Sequence, residues 1–278
     1  MKPTREIHLP IFEVEAVVRT DAGCVRESNE DNGRHVNQNG PSFQNRSGTL
    51  TIVADGMGGH SAGEVASEMA VDLISSYYFN DDSELPSEAL RNAIERANVE
   101  IFEKSESDPN YSGMGTTIVA FAIQDGIGYP AHVGDSRLYR LRGNKINRLT
   151  LDHSQVMEMV KMGLISLEEA QNHEDKNIIL RAVGTQPHVD VEVGKPVGVE
   201  ANDEFLLCSD GLCDLMNDEE IGDVWLNATD IHAASEQLID LAKQRGGSDN
   251  ITVGIVKISS KSPNNNERKI PATREIEV

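Results

Sequence analysis

The chain has 278 residues, with 46 Asp plus Glu against 25 Lys plus Arg, a formal charge of −21. That balance argues against nucleic acid or an anionic membrane surface as a partner, because both are held by cationic side chains. With 38% hydrophobic and 26% charged residues it reads as a folded, soluble chain, and no stretch approaches the roughly 18 apolar residues of a membrane span.

Residues 1–11 form a short extension without a long apolar segment, so no signal peptide is expected and the cytoplasm is the default address. Apolar runs predict strands over 12–20 and 49–54. The second run stops at Asp55, and the glycines of GMGG lead into a helix over 61–78. Ser61 and Glu64 form its capping box, and Val65, Met69, Leu73 and Tyr77 fall on one face. A second helix over 86–104 turns Leu90, Ile94, Ala97 and Ile101 inward. Strands follow at 116–123, 128–134, 137–142 and 145–149. Connections among the last three are too short for a crossover helix, which predicts an antiparallel meander. The Gly-Asn at 143–144 marks a hairpin between the last two.

From 153 to 187 the pattern changes to short helices, with a stop at Gly163 and a capping-box pair, Ser166 with Glu169. This insertion reads as a small helical subdomain on the surface, with the packing of Met157, Met159 and Met162 favoured over an exposed role. Strands at 188–193 and 204–208, a helix over 231–244 and a strand at 251–257 complete a domain spanning 12–258. The helix faces Ile231, Ala234, Leu238 and Leu241 inward. Residues 259–278 are polar and read as a disordered tail. Of the three cysteines, Cys24, Cys208 and Cys213, none is in CxxC spacing, so neither a disulfide framework nor a zinc knuckle is suggested; Cys208 reads as a core residue. Strands outnumber helices, and the helices come in blocks. That combination predicts an α+β fold with antiparallel sheet and helices packed outside.

Five acidic stretches could carry chemistry: GCVRESNEDN with Arg26, Glu30 and Asp31; VADGMGGH with Asp55; HVGDSRL with Asp135; LLCSDGLCD with Asp210; and GGSDNITV with Asp249. Singly, Asp-Gly and Asp-Asn are turn formers. Jointly, Asp55 and Asp210 end apolar strands and Asp249 precedes one, so the three can meet at one rim of a sheet. Carboxylates meeting there repel by about 1 kcal/mol per pair even in water, and a dication removes that cost. An oxygen-only donor set points to Mg²⁺ or Mn²⁺ rather than zinc. Gly56, lacking a side chain, lets its carbonyl approach such an ion. Two ions about 3.5–4 Å apart activate water and clamp phosphoryl oxygens, and Arg26 can grip phosphate in a bidentate fork. Neither DGMGGHS nor GMGTT carries the Lys of a phosphate-cradling loop. Ser136 in GDSRL invites a hydrolase reading, but no His base follows His232.

Taken in order, RxxxED, ADGMGGH, GTT at 115–117, HVGDSR, SDGLCD and SDNITV resemble the protein phosphatase 2C family of metal-dependent Ser/Thr phosphatases. DGMGGHxxGExAS and the DHS opening the insertion are similar to its bacterial branch, and the likeness covers about residues 12–257. The resemblance implies a four-layer α-β-β-α sandwich of two mostly antiparallel sheets, with the insertion at 153–187 as a flap that influences substrate choice. It implies that Asp55 bridges two Mn²⁺ or Mg²⁺ ions and that the Gly56 carbonyl binds one of them. Asp210 and Asp249 would complete one side, Glu30 and Asp31 would hold the centre directly or through water, and Arg26 would grip the substrate phosphate. Asp135 with Asp210 matches a third metal position, and Asn250 has a supporting part. The implied activity is hydrolysis of phosphoserine and phosphothreonine in proteins by direct attack of a metal-bridged hydroxide, opposing a Ser/Thr kinase. A catalytically weak phosphoprotein-binding module is the alternative. Met57 stands where animal members carry a His proposed as general acid, which leaves a metal-bound water as proton donor; His60 is offset by three residues and reads as a surface or capping residue.

Overall fold

A computed structural model describes residues 12–38, 47–58, 62–171 and 173–260. The extension at 1–11, His60, the Ser61 half of the first capping box and the tail beyond Ser260 lie outside them.

In chain order the elements are β1 (Phe12–Asp21), β2 (Asp31–Gln38), β3 (Gly48–Met57), α1 (Ala62–Asn80), α2 (Pro86–Ser107), β4 (Gly115–Thr116), β5 (Ile118–Gln124), β6 (Ile127–Val133), β7 (Arg137–Arg142) and β8 (Lys145–Arg148). There follow α3 (Gln155–Lys161), α4 (Leu167–Gln171), β9 (Glu192–Val193), β10 (Val197–Gly198), β11 (Glu204–Cys208), α5 (Asp210–Cys213), α6 (Asp218–Asn227), α7 (Ile231–Gln244) and β12 (Ile251–Ser260).

Two antiparallel sheets result. One runs β1-β12-β11-β7-β8; the other runs β10-β6-β5-β3-β2, with β4 paired to β3 and β9 to β6. Side chains alternate across a strand, so each apolar strand feeds two cores. On β3, Leu50, Ile52 and Ala54 pack toward α1 and α2, while Val53 faces the other sheet. On β11, Phe205 and Leu207 point between the sheets, and Leu206 and Cys208 point toward α6 and α7. Phe121 and Phe205 meet across the gap with ring centroids 4.4 Å apart. The layers are therefore helices, sheet, sheet, helices, with three apolar seams.

The predicted meander is corrected. Strand β6 lies in one sheet and β7 in the other, so residues 134–136 carry the chain between sheets; of the three strands expected to form the meander, β7 and β8 pair as a hairpin, while β6 pairs with β5. A three-residue connector is as short as a turn, which made the two indistinguishable by length. The buried face of α1 is also corrected. Ala66, Ala70, Ile74 and Tyr78 are fully buried, while Val65, Met69, Leu73 and Tyr77 flank that core. At its start the inner stripe carries the small Ala66 and Ala70, and further along it the large Ile74 and Tyr78. The faces expected of α2 and α7 hold, with Leu241 at the edge of its core. The strand expected at 188–193 shortens to Glu192–Val193, and β2 was not anticipated. In the insertion, the Ser166–Glu169 capping box forms through bonds of 2.7 and 3.2 Å. Met157 is buried, but Met162 is 70% exposed, against the packing expected of it.

Candidate metal centre

Both sheets deliver acids to one end of the sandwich. Asp31 opens β2 directly across from Asp55 near the end of β3. From the other sheet, Asp210 follows β11 at the first turn of α5, and Asp249 precedes β12. Asp135 sits in the connector that passes from sheet to sheet. The charges of Asp31, Asp135 and Asp210 are all felt by Asp55, that of Asp210 also by Asp31 and Asp135, and that of Asp249 by Asp31 and Asp210. The structure thus brings the sequence-predicted acids together.

Their protonation reflects crowding. Burial pushes Asp31 up to about 7 against hydrogen bonds from Thr252 and Ser209, and the charges of Asp210 and Asp249 add to the rise. Burial, then the charges of Asp210 and Asp152, take Asp135 to about 8. Asp210 reaches about 6 through burial and the charges of Asp214 and Asp249. Asp55 is raised well above the carboxylate range by burial, with Asp210, Asp31 and Asp135 adding to it. Asp55 and Asp210 lie close enough for each to shift the other's proton affinity, and adjacent carboxyl groups avoid carrying two full charges by retaining a proton. Glu30, at the edge, is raised by burial and lowered by Arg26.

One oxygen on each of Asp31, Asp135 and Asp210 is buried without a hydrogen-bond partner. Buried polar atoms are rarely left so, and a carboxylate oxygen offers only lone pairs. Orphaned acceptors on three mutually repelling acids fit a divalent cation with oxygen ligands.

Side chains around the acids fix this arrangement; of these the sequence reading assigned a supporting part to Asn250 but none to Ser209, Thr116 or Thr117. Thr116 Oγ1 donates to the Asp55 carbonyl at 2.9 Å, and the Asp55 amide donates to Thr117 Oγ1 at 3.2 Å. Ser209 Oγ donates to Asp31 Oδ2 at 2.7 Å and accepts from the Thr252 amide at 2.9 Å. The Asn250 side chain accepts from the Glu30 amide at 2.8 Å and donates to the carbonyls of Ala22 and Ser28, holding the loop that carries Arg26. The GTT motif was the one sequence signal for the threonines. Arg26, half exposed, extends over the cluster and bonds Asp249 at 2.7 Å. Ser136 is 1% exposed and its hydroxyl is held by Thr117 at 2.7 Å, which removes it as a nucleophile.

Among the described residues, a group of three His, Cys, Asp or Glu ligand atoms within 4.8 Å of one another occurs elsewhere, at His132, His153 and Glu192. Among the described residues, no three of the aspartate oxygens lie that close together.

Residues 27–244 match the sequence profile of the protein phosphatase 2C family. The chain is 41% identical over 247 residues to the serine/threonine phosphatase stp of Listeria welshimeri, covering 87% of this chain and 95% of that one. Among solved structures, the serine/threonine phosphatase Stp1 from Staphylococcus aureus superposes with a TM-score of 0.80 at 33% identity, over 93% of this chain and 100% of that one. The catalytic domain of the serine threonine protein phosphatase PstP, solved in complex with 2 manganese ions, gives 0.76 at 31% identity, over 90% and 100%. The fold and the acid-lined rim define a phosphatase of the metal-dependent kind. The chain belongs to the protein phosphatase 2C family.

Proposed function

We propose that this protein removes phosphate from phosphoserine and phosphothreonine in proteins, in the cytoplasm and against a Ser/Thr kinase, using two Mn²⁺ or Mg²⁺ ions and a third at Asp135. The observation that carries the reading is the set of orphaned, buried carboxylate oxygens on Asp31, Asp135 and Asp210, facing Asp55 where the sheets meet. Asp55, Asp210, Asp249, Glu30 and Asp31 would hold the ion pair, with the Gly56 carbonyl beside them. Such ions, when bound, acidify water and draw charge from phosphoryl oxygens.

The chain's own groups do the rest. Arg26 reaches the cluster from the solvent side with its guanidinium, a fork matched to phosphate oxygens. Ser209 keeps the Asp31 carboxylate from rotating away when the charge at the centre changes, and Thr117 holds the main chain that carries Asp55. The α3–α4 insertion presents Met162, Leu164 and Leu167 to solvent, an apolar face suited to a protein substrate. An all-oxygen donor set supports Mn²⁺ or Mg²⁺ alike. The free Cys24, Cys208 and Cys213 support a reducing compartment. Among the described residues no helix is long and apolar enough to cross a membrane.

A phosphothreonine peptide assayed with Mn²⁺, with and without EDTA, tests the proposal. Turnover that EDTA abolishes is expected, with solvent ¹⁸O entering phosphate in a single turnover. Metal-independent turnover, or an acid-stable phosphoprotein, would refute it. A weak binding module would hold the peptide without turning it over; the presence of every candidate ligand and of Arg26 favours activity.

A further inference from the structure

The His132, His153 and Glu192 group lies at the root of the helical insertion, beside the connector that carries Asp135. His153 is 2% exposed. Its Nδ1 accepts from the Gly134 amide at 3.1 Å, and its own amide donates to the Gly134 carbonyl at 2.9 Å. Both main-chain groups of Gly134 are thus held by one residue. Nδ1, being an acceptor, carries no proton, so the neutral ring has its hydrogen on Nε2. Nε2 donates to Glu192 Oε2 at 3.1 Å, which fixes that tautomer. Arg181, paired with Asp190 at 3.0 Å, lies 3.4 Å from the same nitrogen. His132 stacks on the ring at 4.5 Å and 13° and donates from Nε2 to the Leu151 carbonyl at 2.8 Å.

A metal site is the obvious reading of two His and a Glu, and the geometry opposes it. Neither nitrogen of His153 has a free lone pair, since one accepts an amide hydrogen and the other bears the ring hydrogen. The stacked rings also direct their in-plane lone pairs into nearly parallel planes. The group orients; it does not chelate.

What it orients is the connector between the sheets. Gly134 has φ 108°, and a Cβ there would lie 2.7 Å from Thr117. The next residue is Asp135, and the one after, Ser136, is bonded to Thr117, which itself receives the Asp55 amide. His153 pins the near side of Asp135 and Thr117 the far side. We propose that His153, its tautomer set by Glu192, is a positioning residue that aims the Asp135 carboxylate at its ion, an inference that rests on reading Asp135 as a metal ligand.

Three substitutions in the full-length chain test it by Mn²⁺ titration calorimetry, with thermal melts to establish folding. Asp135→Asn identifies the Asp135-dependent part of the isotherm. In His153→Asn, the amide oxygen takes the place of Nδ1 and keeps the Gly134 bond. In His153→Gln the polar group moves out to the Nε2 position and the Gly134 bond is lost. The Gln variant should weaken the Asp135-dependent part about 10-fold, with the Asn variant near wild type. A packing role predicts the reverse, because Gln is nearer to His in size. Equal effects of Asn and Gln, or the reversed order, overturn the proposal while leaving Asp135 a ligand. An Asp135→Asn isotherm identical to wild type instead removes the ligand reading, and the positioning role with it. Should neither His153 variant fold, Glu192→Ala decides: its side chain is 41% exposed, and the same part of the isotherm must weaken, an unchanged one overturning the proposal.

Discussion

Stripping the metal should make the protein's stability fall as pH rises above neutrality, the opposite of the usual behaviour of a paired carboxylate. The raised acids set the sign. A carboxyl whose folded pKa lies above its unfolded value binds more protons in the native state than in the unfolded one. Stability then declines as pH climbs through the interval between the two values. Here Asp31 stands at about 7, Asp135 at about 8, and Asp55 well above the carboxylate range, all from an ordinary 3.8. Ionising the whole cluster without a cation would cost on the order of 10 kcal/mol, as much as a domain's entire stability. The metal-free protein therefore holds protons there at neutral pH.

The window matters. His35, His132 and His153 are lowered by burial, so the unfolded state binds their protons first and their own contribution to stability rises with pH up to about 6.5, against that of the acids. Between pH 7.5 and 8.5 that opposing contribution is nearly spent. With one extra proton on the native cluster, the loss is about 1.4 kcal/mol per pH unit, or about 3–6 °C in Tm for a chain of this size. Differential scanning fluorimetry on EDTA-treated protein across that unit measures it. Saturating Mg²⁺ should displace the protons and flatten the slope, so the gain in Tm from Mg²⁺ is larger at pH 8.5 than at 7.5. Asp55→Asn should show a shallower slope in the metal-free state and a higher Tm than wild type at pH 8.5. A metal-free Tm that is flat or rising across this unit, identical in wild type and Asp55→Asn, would refute the reasoning.

Asp55→Ala and Asp210→Ala should each reduce phosphopeptide turnover by more than the roughly 10–100-fold that loss of a mere supporting partner costs, read from initial rates at saturating Mn²⁺. Arg26→Ala should raise KM for a phosphopeptide about 10–100-fold, the equivalent of a charge-assisted hydrogen bond of about 1.5–3 kcal/mol, with kcat within severalfold of wild type; a pure kcat effect would contradict a phosphate grip. Ser209→Ala removes the donor to Asp31 and should weaken Mn²⁺ binding about 10-fold by calorimetry. In the seam between the sheets, Leu207→Ala should cost about 2–5 kcal/mol in urea unfolding while leaving KM unchanged.

The parts legible in the sequence were those where one signal dominates. Asp55 and Asp210 stand out because each abruptly ends an apolar run, and the inward stripes of α2 and α7 follow helical period. Strand β2 was hidden because DNGRHVNQ has almost no apolar alternation. As an edge strand it is held by its backbone ladder to β3 over eight residue pairs, from Asp31–Asp55 to Gln38–Gly48. The face of α1 was misjudged because two neighbouring stripes are apolar, and period cannot choose between them; packing buried the one that carries Ala66, Ala70, Ile74 and Tyr78. Sheet membership of β6 and β7 depends on the φ of Gly134 and its partners, long-range facts with no local signature. For the same reason Thr117, Ser209 and His153 could not be given roles from spacing alone.

Why an apolar run should twice stop at Asp-Gly has a second answer beyond the carboxylate. A Cβ on Gly56 would lie 2.5 Å from the Glu30 carbonyl and 2.2 Å from that of Gly63. One on Gly211 would lie 2.0 Å from the Asn250 carbonyl. In each case the chain pressed against the glycine carries the next acid of the cluster: Glu30 in the first, Asp249 with Asn250 in the second. The Gly56 amide even donates to the Glu30 carbonyl at 3.1 Å. The aspartate brings a carboxylate to the rim, and the glycine after it removes the bulk that would keep the neighbouring acid-bearing segment away. A turn would need only the glycine's backbone freedom. A site that gathers acids from distant segments needs its missing side chain, and this is why the pair recurs on both sheets where they meet.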